Sequence, residues 1–378
     1  MSATSLYSLR AAFLVALGTL FFACDEGVLA PPPSGEPAAG KPPSGPYFAS
    51  ITISLPGQTS AVANDINDAH EVVGYALFPN NGGSAFYWGE SLGGTTPQVL
   101  PPLPGKQAGL ASDISETGEV AGASGEGHHG SGLGQAVPTI WTRTGLAWTP
   151  RALGGWGHAW GLNDRGEAVG TRYVQEAPWL SEAVHWDADG RVTVLTLPEG
   201  FVRAEAFAIN NDGDIAGALV TSGGANWAAL WVAGEAGSWT PAVLTGGPVR
   251  DLTDRDPAGT LMASGLDGNA KGECCIPIRW TVTIAADGQV VASRSVLGTD
   301  LLKWGTGLAI NGLGDVAGSG TPGNNWAGTP IPVLYPMAES TVKLPLTRRS
   351  TGAVHGISLD RWMAGRVEAD AVVWHPAI

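Results

Sequence analysis

Three aspartates, Asp65, Asp113 and Asp251, each stand immediately before an Ile or Leu inside a short phrase that recurs along the chain. Carboxylates brought together from equivalent positions are the groups glycoside hydrolysis uses, one as acid and one as base or nucleophile. The other four copies carry Gly161, Ala208, Ala309 and Gly356 there, which suits a crowded axis. His128 and His129 are adjacent in a Gly-rich stretch with no third ligand at a recognisable spacing, so a solvated loop is expected rather than a metal site. The acidic turns NDINDAHE and NNDGDIAG look like calcium loops by composition, but neither extends into a loop closed by a bidentate Glu. A G-x-S-x-G elbow, an H-E-x-x-H helix and a phosphate-cradling loop are all lacking. The sequence therefore assigns no catalytic residue, no metal and no cofactor, and ranks binding ahead of enzymatic activity.

The phrase that carries these aspartates occurs seven times, ending at Gly74, Gly122, Gly170, Gly217, Gly265, Gly318 and Gly365. Its spacing is 47 or 48 residues, apart from 53 before Gly318. A fixed period of this size marks one supersecondary unit, copied and stacked on its neighbours. Residues 205–244 divide into four short apolar stretches, EAFAIN, DIAGALV, NWAALWV and TPAVL, separated by turn residues. Four short strands per repeat predict an all-β, seven-bladed β-propeller of four-stranded antiparallel blades. The third strands end in Trp88, Trp141, Trp186, Trp231, Trp280, Tyr335 and Trp374, read as wedges between blades. Asn67, Ser115, Asn163, Asn210, Thr253, Asn311 and Ser358 share one register after the first strand, as side chains that cap a turn should. The seventh repeat stops without a fourth strand, and FASITISLP at 48–56 reads like one. An N-terminal strand completing the last blade would close the ring and remove an exposed edge.

The pattern A-x-x-I-N-x-x-G-x-x-x-G, followed by Ser84-Ala85-Phe86, Glu182-Ala183-Val184, Trp227-Ala228-Ala229 or Asp370-Ala371-Val372, resembles the HAF-repeat family of extracellular bacterial proteins. The resemblance covers about residues 48–378 and implies no activity for named residues. At the N-terminus, Arg10 precedes the apolar run AAFLVALGTLFF, as in a signal peptide over 1–23. That run is shorter than the about 20 residues a membrane span needs. LFFAC resembles a lipoprotein lipobox, with Phe21 and Phe22 where an aliphatic and a small residue are usual, and would make Cys24 the acylated residue. The alternative is a plain signal peptide with an incidental Cys. Residues 24–46 are rich in Pro and carry little to bury, so they read as a tether reaching roughly 60–70 Å at about 3.1 Å per residue. The propeller is assigned to 47–378.

With 20 basic and 34 acidic residues, the chain has a formal charge of −14 and no basic stripe, which disfavours nucleic acid. Connections between second and third strands vary in length and lie on one side, with the connections between blades. The candidate ligand face therefore comprises Trp156, His158, Trp179, Trp227, Trp326, His128 and His129. Indoles on such a face suit sugar stacking or protein contact. Cys274 and Cys275 are adjacent, and a vicinal disulfide and two free thiols both remain open. The expectation is a monomeric, exported, lipid-anchored envelope module that binds carbohydrate or protein and meets the membrane only through its anchor. A glycoside hydrolase or polysaccharide lyase is the alternative.

Overall fold

The structure, a computed structural model, describes residues 48–79, 82–89, 96–129, 132–133, 135–174, 177–268, 274–302, 304–322, 329–346 and 350–377. Seven four-stranded antiparallel sheets follow one another along the chain as blades of a β-propeller. Among the described residues there is no α-helix, and a 3-10 turn spans Glu235–Gly237. Blade 4 is representative, with strands Phe201–Ile209, Ile215–Thr221, Asn226–Ala233 and Trp239–Leu244 from the axis outward.

The ring closes as the ends of the repeat array lead one to expect. Phe48–Ile53 pairs antiparallel with Asp370–Pro376, from Phe48 opposite Pro376 to Ile53 opposite Ala371, and so supplies the outer strand of blade 7. The same seam is fastened nearer the axis. His70 stacks on Trp362 with ring centroids 4.1 Å apart, and its Nε2 lies 2.9 Å from Asp360 Oδ2.

The seven strand-end aromatics are at most 3% exposed. Four indoles also donate to carbonyls of the connection entering their own blade: Trp141 to Pro101 O, Trp231 to Thr196 O, Trp280 to Thr245 O and Trp374 to Pro345 O. The recurring glycine of the phrase makes room for both features. A Cβ on Gly217 would collide with Glu205 O of the first strand and stand 3.0 Å from the Trp231 ring. Close approach therefore requires this glycine, since no left-handed backbone is involved. The turn between first and second strands does need a positive φ. Gly118, Gly166, Gly213, Gly259 and Gly314 provide it at five blades, with His70 and Arg361 at the other two.

Each innermost strand carries a register shift at the same place, as between Ala63 and Asp65 or between Ala206 and Ala208. A bulge puts two successive side chains toward one side, so every first strand directs an extra residue at the axis. The propeller's function-bearing positions follow from that one irregularity.

Candidate functional site

The bulge brings Asp65, Asp113 and Asp251 to a common axial channel, where all three line one cavity of about 250 Å³. Each reaches across to the next blade. Asp65 Oδ2 accepts from Ile114 N at 3.0 Å, Asp113 Oδ2 from Leu162 N at 2.5 Å, and Asp251 Oδ2 from Ile310 N at 2.8 Å. Asp251 Oδ1 also accepts from Leu252 N at 2.8 Å. Burial pushes the Asp251 carboxyl up to about 7 despite those bonds. Burial, then the charge of neighbouring Asp113, drives Asp65 well above the usual range, and burial raises Asp113 too. The positions without a carboxylate are crowded, as a Cβ on Gly161 would stand 2.8 Å from Ala208 Cα. The carboxylates thus join blades through backbone N–H groups.

The bulged residues themselves are Asn64, Ser112, Trp160, Phe207, Arg250, Leu308 and His355, and all seven line the same cavity. Sequence reasoning passed over them, although each stands directly before the recognised Asp, Gly or Ala register. Arg250 lies over the Phe207 ring, 4.4 Å from its centroid. The Nε of Arg250 and the Oγ of Ser112 are buried and make no hydrogen bond to protein groups. Asn64 Nδ2 donates to Ala111 O at 2.6 Å. Burial takes His355 down to about 4, so its ring is neutral at pH 7 and donates from Nδ1 to Ala63 O at 3.1 Å.

Next along the axis comes a ring of Ile66, Ile114, Leu162, Ile209, Leu252, Ile310 and Ile357, each 4–8% exposed. It lies between this chamber and a wider cavity of about 630 Å³ at the turns, and Ile114, Leu162, Ile209 and the turn residue Glu116 line both. There the turn residues form a relay between blades. Asp68 N donates to Glu116 Oε2 at 3.0 Å, Glu116 N to Asp164 Oδ1 at 2.8 Å, Asp164 N to Asn211 Oδ1 at 2.9 Å, and Asn211 N to Asp254 Oδ1 at 2.7 Å. Gly312 and Leu359 offer no acceptor side chain, so the relay stops at Asp254, and Leu359 N donates to Asp68 Oδ1 at 2.6 Å between blades 7 and 1. Burial, reinforced by the charges of Asp68 and Asp164, brings the Glu116 carboxyl to about 7. The Asn register caps its turns as expected, with Asn210 Oδ1 accepting from Asp214 N at 2.8 Å. It does more than punctuate, because Asn67, Asn163, Asn210 and Asn311 each donate from Nδ2 to the equivalent carbonyl of the next blade. Among the described residues, no group of three His, Cys, Asp or Glu is placed to hold a metal ion.

On the opposite side, where the connections between blades emerge, blades 2 and 3 flank a groove of about 790 Å³. Trp156 and Tyr173 meet edge to face in it at 6.2 Å, and the Arg172 Nη2 to Glu182 Oε2 pair is 2.7 Å apart. Lys106 and Gln135 complete its polar rim. The structure places His158 beneath this face. It is 7% exposed, stacked on Trp160 at 4.8 Å, and burial takes it down to about 4. Its strand begins at Gly157, so the residue is already within the sheet. Trp227 lies on a separate hairpin and is 41% exposed. Cys24 and Trp326 fall outside the described residues, as do the side chains of His128, His129, Trp179 and Cys274. Cys275 is disulfide-bonded.

No family model matches the chain, and no curated protein matches it. Among solved structures, the β-propeller domain of the Trilobed protease from Pyrococcus furiosus, described as having an open velcro topology, is similar at 10% identity. That match covers 84% of this chain and 94% of the other, with a TM-score of 0.51. TolB from Acinetobacter baumannii matches at 12% identity over 85% of this chain and 68% of its own, with a TM-score of 0.43. At such identities the likeness to the protease domain is one of fold.

Proposed function

We propose that the chain is an exported, lipid-anchored binding module of the cell envelope that takes carbohydrate on its loop face. The observation that carries this reading is the groove between blades 2 and 3, where Trp156 and Tyr173 stand among Lys106, Gln135, Arg172 and Glu182. An indole offers a flat apolar platform to the C–H face of a sugar, and the charged rim offers partners to its hydroxyls. The axial carboxylates support binding over hydrolysis, because Asp65, Asp113 and Asp251 are engaged by backbone N–H groups of neighbouring blades. Export rests on the signal-like residues 1–23, anchoring on Cys24 and the Pro-rich tether, and membership of the HAF-repeat family on the repeated phrase alone.

A glycan array read beside hydrolysis assays tests the reading. Trp156→Ala is expected to abolish glycan binding with the melting temperature retained, and no glycan is expected to be cleaved. Turnover that disappears in Asp113→Asn would replace the binding module with an enzyme. Anchoring has its own check, since incorporation of labelled palmitate should vanish in Cys24→Ala.

A further inference from the structure

The repeats allow each axial position to be compared across seven copies within one chain. The second-strand glycine is Gly in every copy, and the aliphatic ring is Ile or Leu in every copy. Those positions answer to packing. Between them, the bulge position holds seven different residue types: an amide, a hydroxyl, an indole, a phenyl, a guanidinium, an isobutyl and an imidazole. Arg250 lines this chamber with its guanidinium over the Phe207 ring, no carboxylate paired with it among the described residues, and its Nε buried and unmatched. Leaving such a donor without an acceptor is costly, as it is for the Ser112 hydroxyl.

We infer that the axial chamber is a second binding site, distinct from the loop groove, for a hydroxylated carboxylate the size of a single sugar acid, with Arg250 holding the carboxylate. The planar guanidinium matches a carboxylate through paired N–H donors. Asp65, Asp113 and Asp251 face the same space and suit hydroxyl groups as partners, with Ser112 and Asn64 beside them. Trp160 and Phe207 supply apolar wall. Those three carboxyl groups oppose a compact dianion such as phosphate, so one negative charge with several hydroxyls is the better complement. At about 250 Å³ the chamber has the liquid volume of about eight waters, enough for one sugar ring and its substituents.

Isothermal titration of the full chain with D-glucuronate, D-glucose and inorganic phosphate decides the matter. Glucuronate is expected to bind, with glucose and phosphate at least about tenfold weaker. Arg250→Gln should weaken glucuronate by about ten- to hundredfold, the range for a lost charge-assisted pair. Arg250→Lys keeps the charge without the fork and should fall between. Trp156→Ala should leave glucuronate binding unchanged, which separates this site from the groove. Absent glucuronate binding, equal binding by wild type and both Arg250 variants, phosphate binding as tight as glucuronate, or loss in Trp156→Ala would each overturn the assignment.

Discussion

Glu71 and Glu167, at the turn end of the axis, release their protons more readily than ordinary carboxyl groups, whereas Asp65, Asp113 and Asp251 in the chamber hold theirs more tightly. Burial works in the same direction on all five. At Glu71 it is outweighed by hydrogen bonds from Tyr87 Oη at 2.5 Å, Asn67 Nδ2 at 3.1 Å and Arg143 Nη2 at 2.8 Å. Glu167 likewise accepts from Asn163 Nδ2 at 2.8 Å and Arg165 Nε at 2.9 Å. The chamber acids receive backbone N–H groups, and no Arg or Lys pairs with them among the described residues. Arg250 stands in the same chamber and over Phe207 instead. One end of the axis is electrostatically complete, and the other keeps a cation and its acids apart. Glu116 shows that position alone does not decide this, since it sits at the turns without a cation and rises with the chamber group.

The comparison is broken most forcefully by taking the cation from a turn acid. Arg143→Met leaves Glu71 buried with Tyr87 and Asn67 only, and should destabilise the fold by about 2–3 kcal/mol in urea titration. The same change should raise the Glu71 carboxyl, measured by NMR titration, toward the behaviour of the chamber.

A second effect concerns pH. Glu71 and Glu167 have lowered values, so their contribution is present above the ordinary 4.5 and is lost as the medium becomes more acidic. Asp251 is raised from 3.8 to about 7, so its contribution is complete below 3.8 and is lost as pH climbs toward 7. The melting temperature should therefore peak at about pH 4–5 and decline toward pH 7. Asp251→Asn should make the upper limb shallower, the remainder belonging to Asp65, Asp113 and Glu116, and leave the lower limb intact; an unchanged upper limb would remove Asp251 from the account. The smallest change is expected at Ser112→Ala, which removes a buried, unpartnered hydroxyl and should stabilise the fold by about 1 kcal/mol.

The sequence made the periodic part of this molecule readable. Blade number, the seven wedging aromatics and the closing strand all repeat or complement a pattern, and each is where the spacing predicts. The Asn register was legible as a turn cap because that bond is local, but its second bond, to the next blade, joins residues over 40 positions apart. The bulge was hidden for a different reason. An extra residue between Ala63 and Asp65 breaks the two-residue alternation without any distinctive residue type, so Asn64 and its six counterparts looked like ordinary strand members. His158 was misjudged by the boundary of its strand, where a single residue separates loop from sheet.

The pairing of Phe48–Ile53 with Asp370–Pro376 has a kinetic consequence. Blades 1 to 6 are built from contiguous sequence and can mature as they emerge, but blade 7 must wait for partners from opposite ends of the described chain. Bringing such distant segments together is an entropic search whose cost grows slowly with length yet dominates the rate. Completion of the ring is then the commitment step, before which the oldest strand stays available to mispair with another molecule.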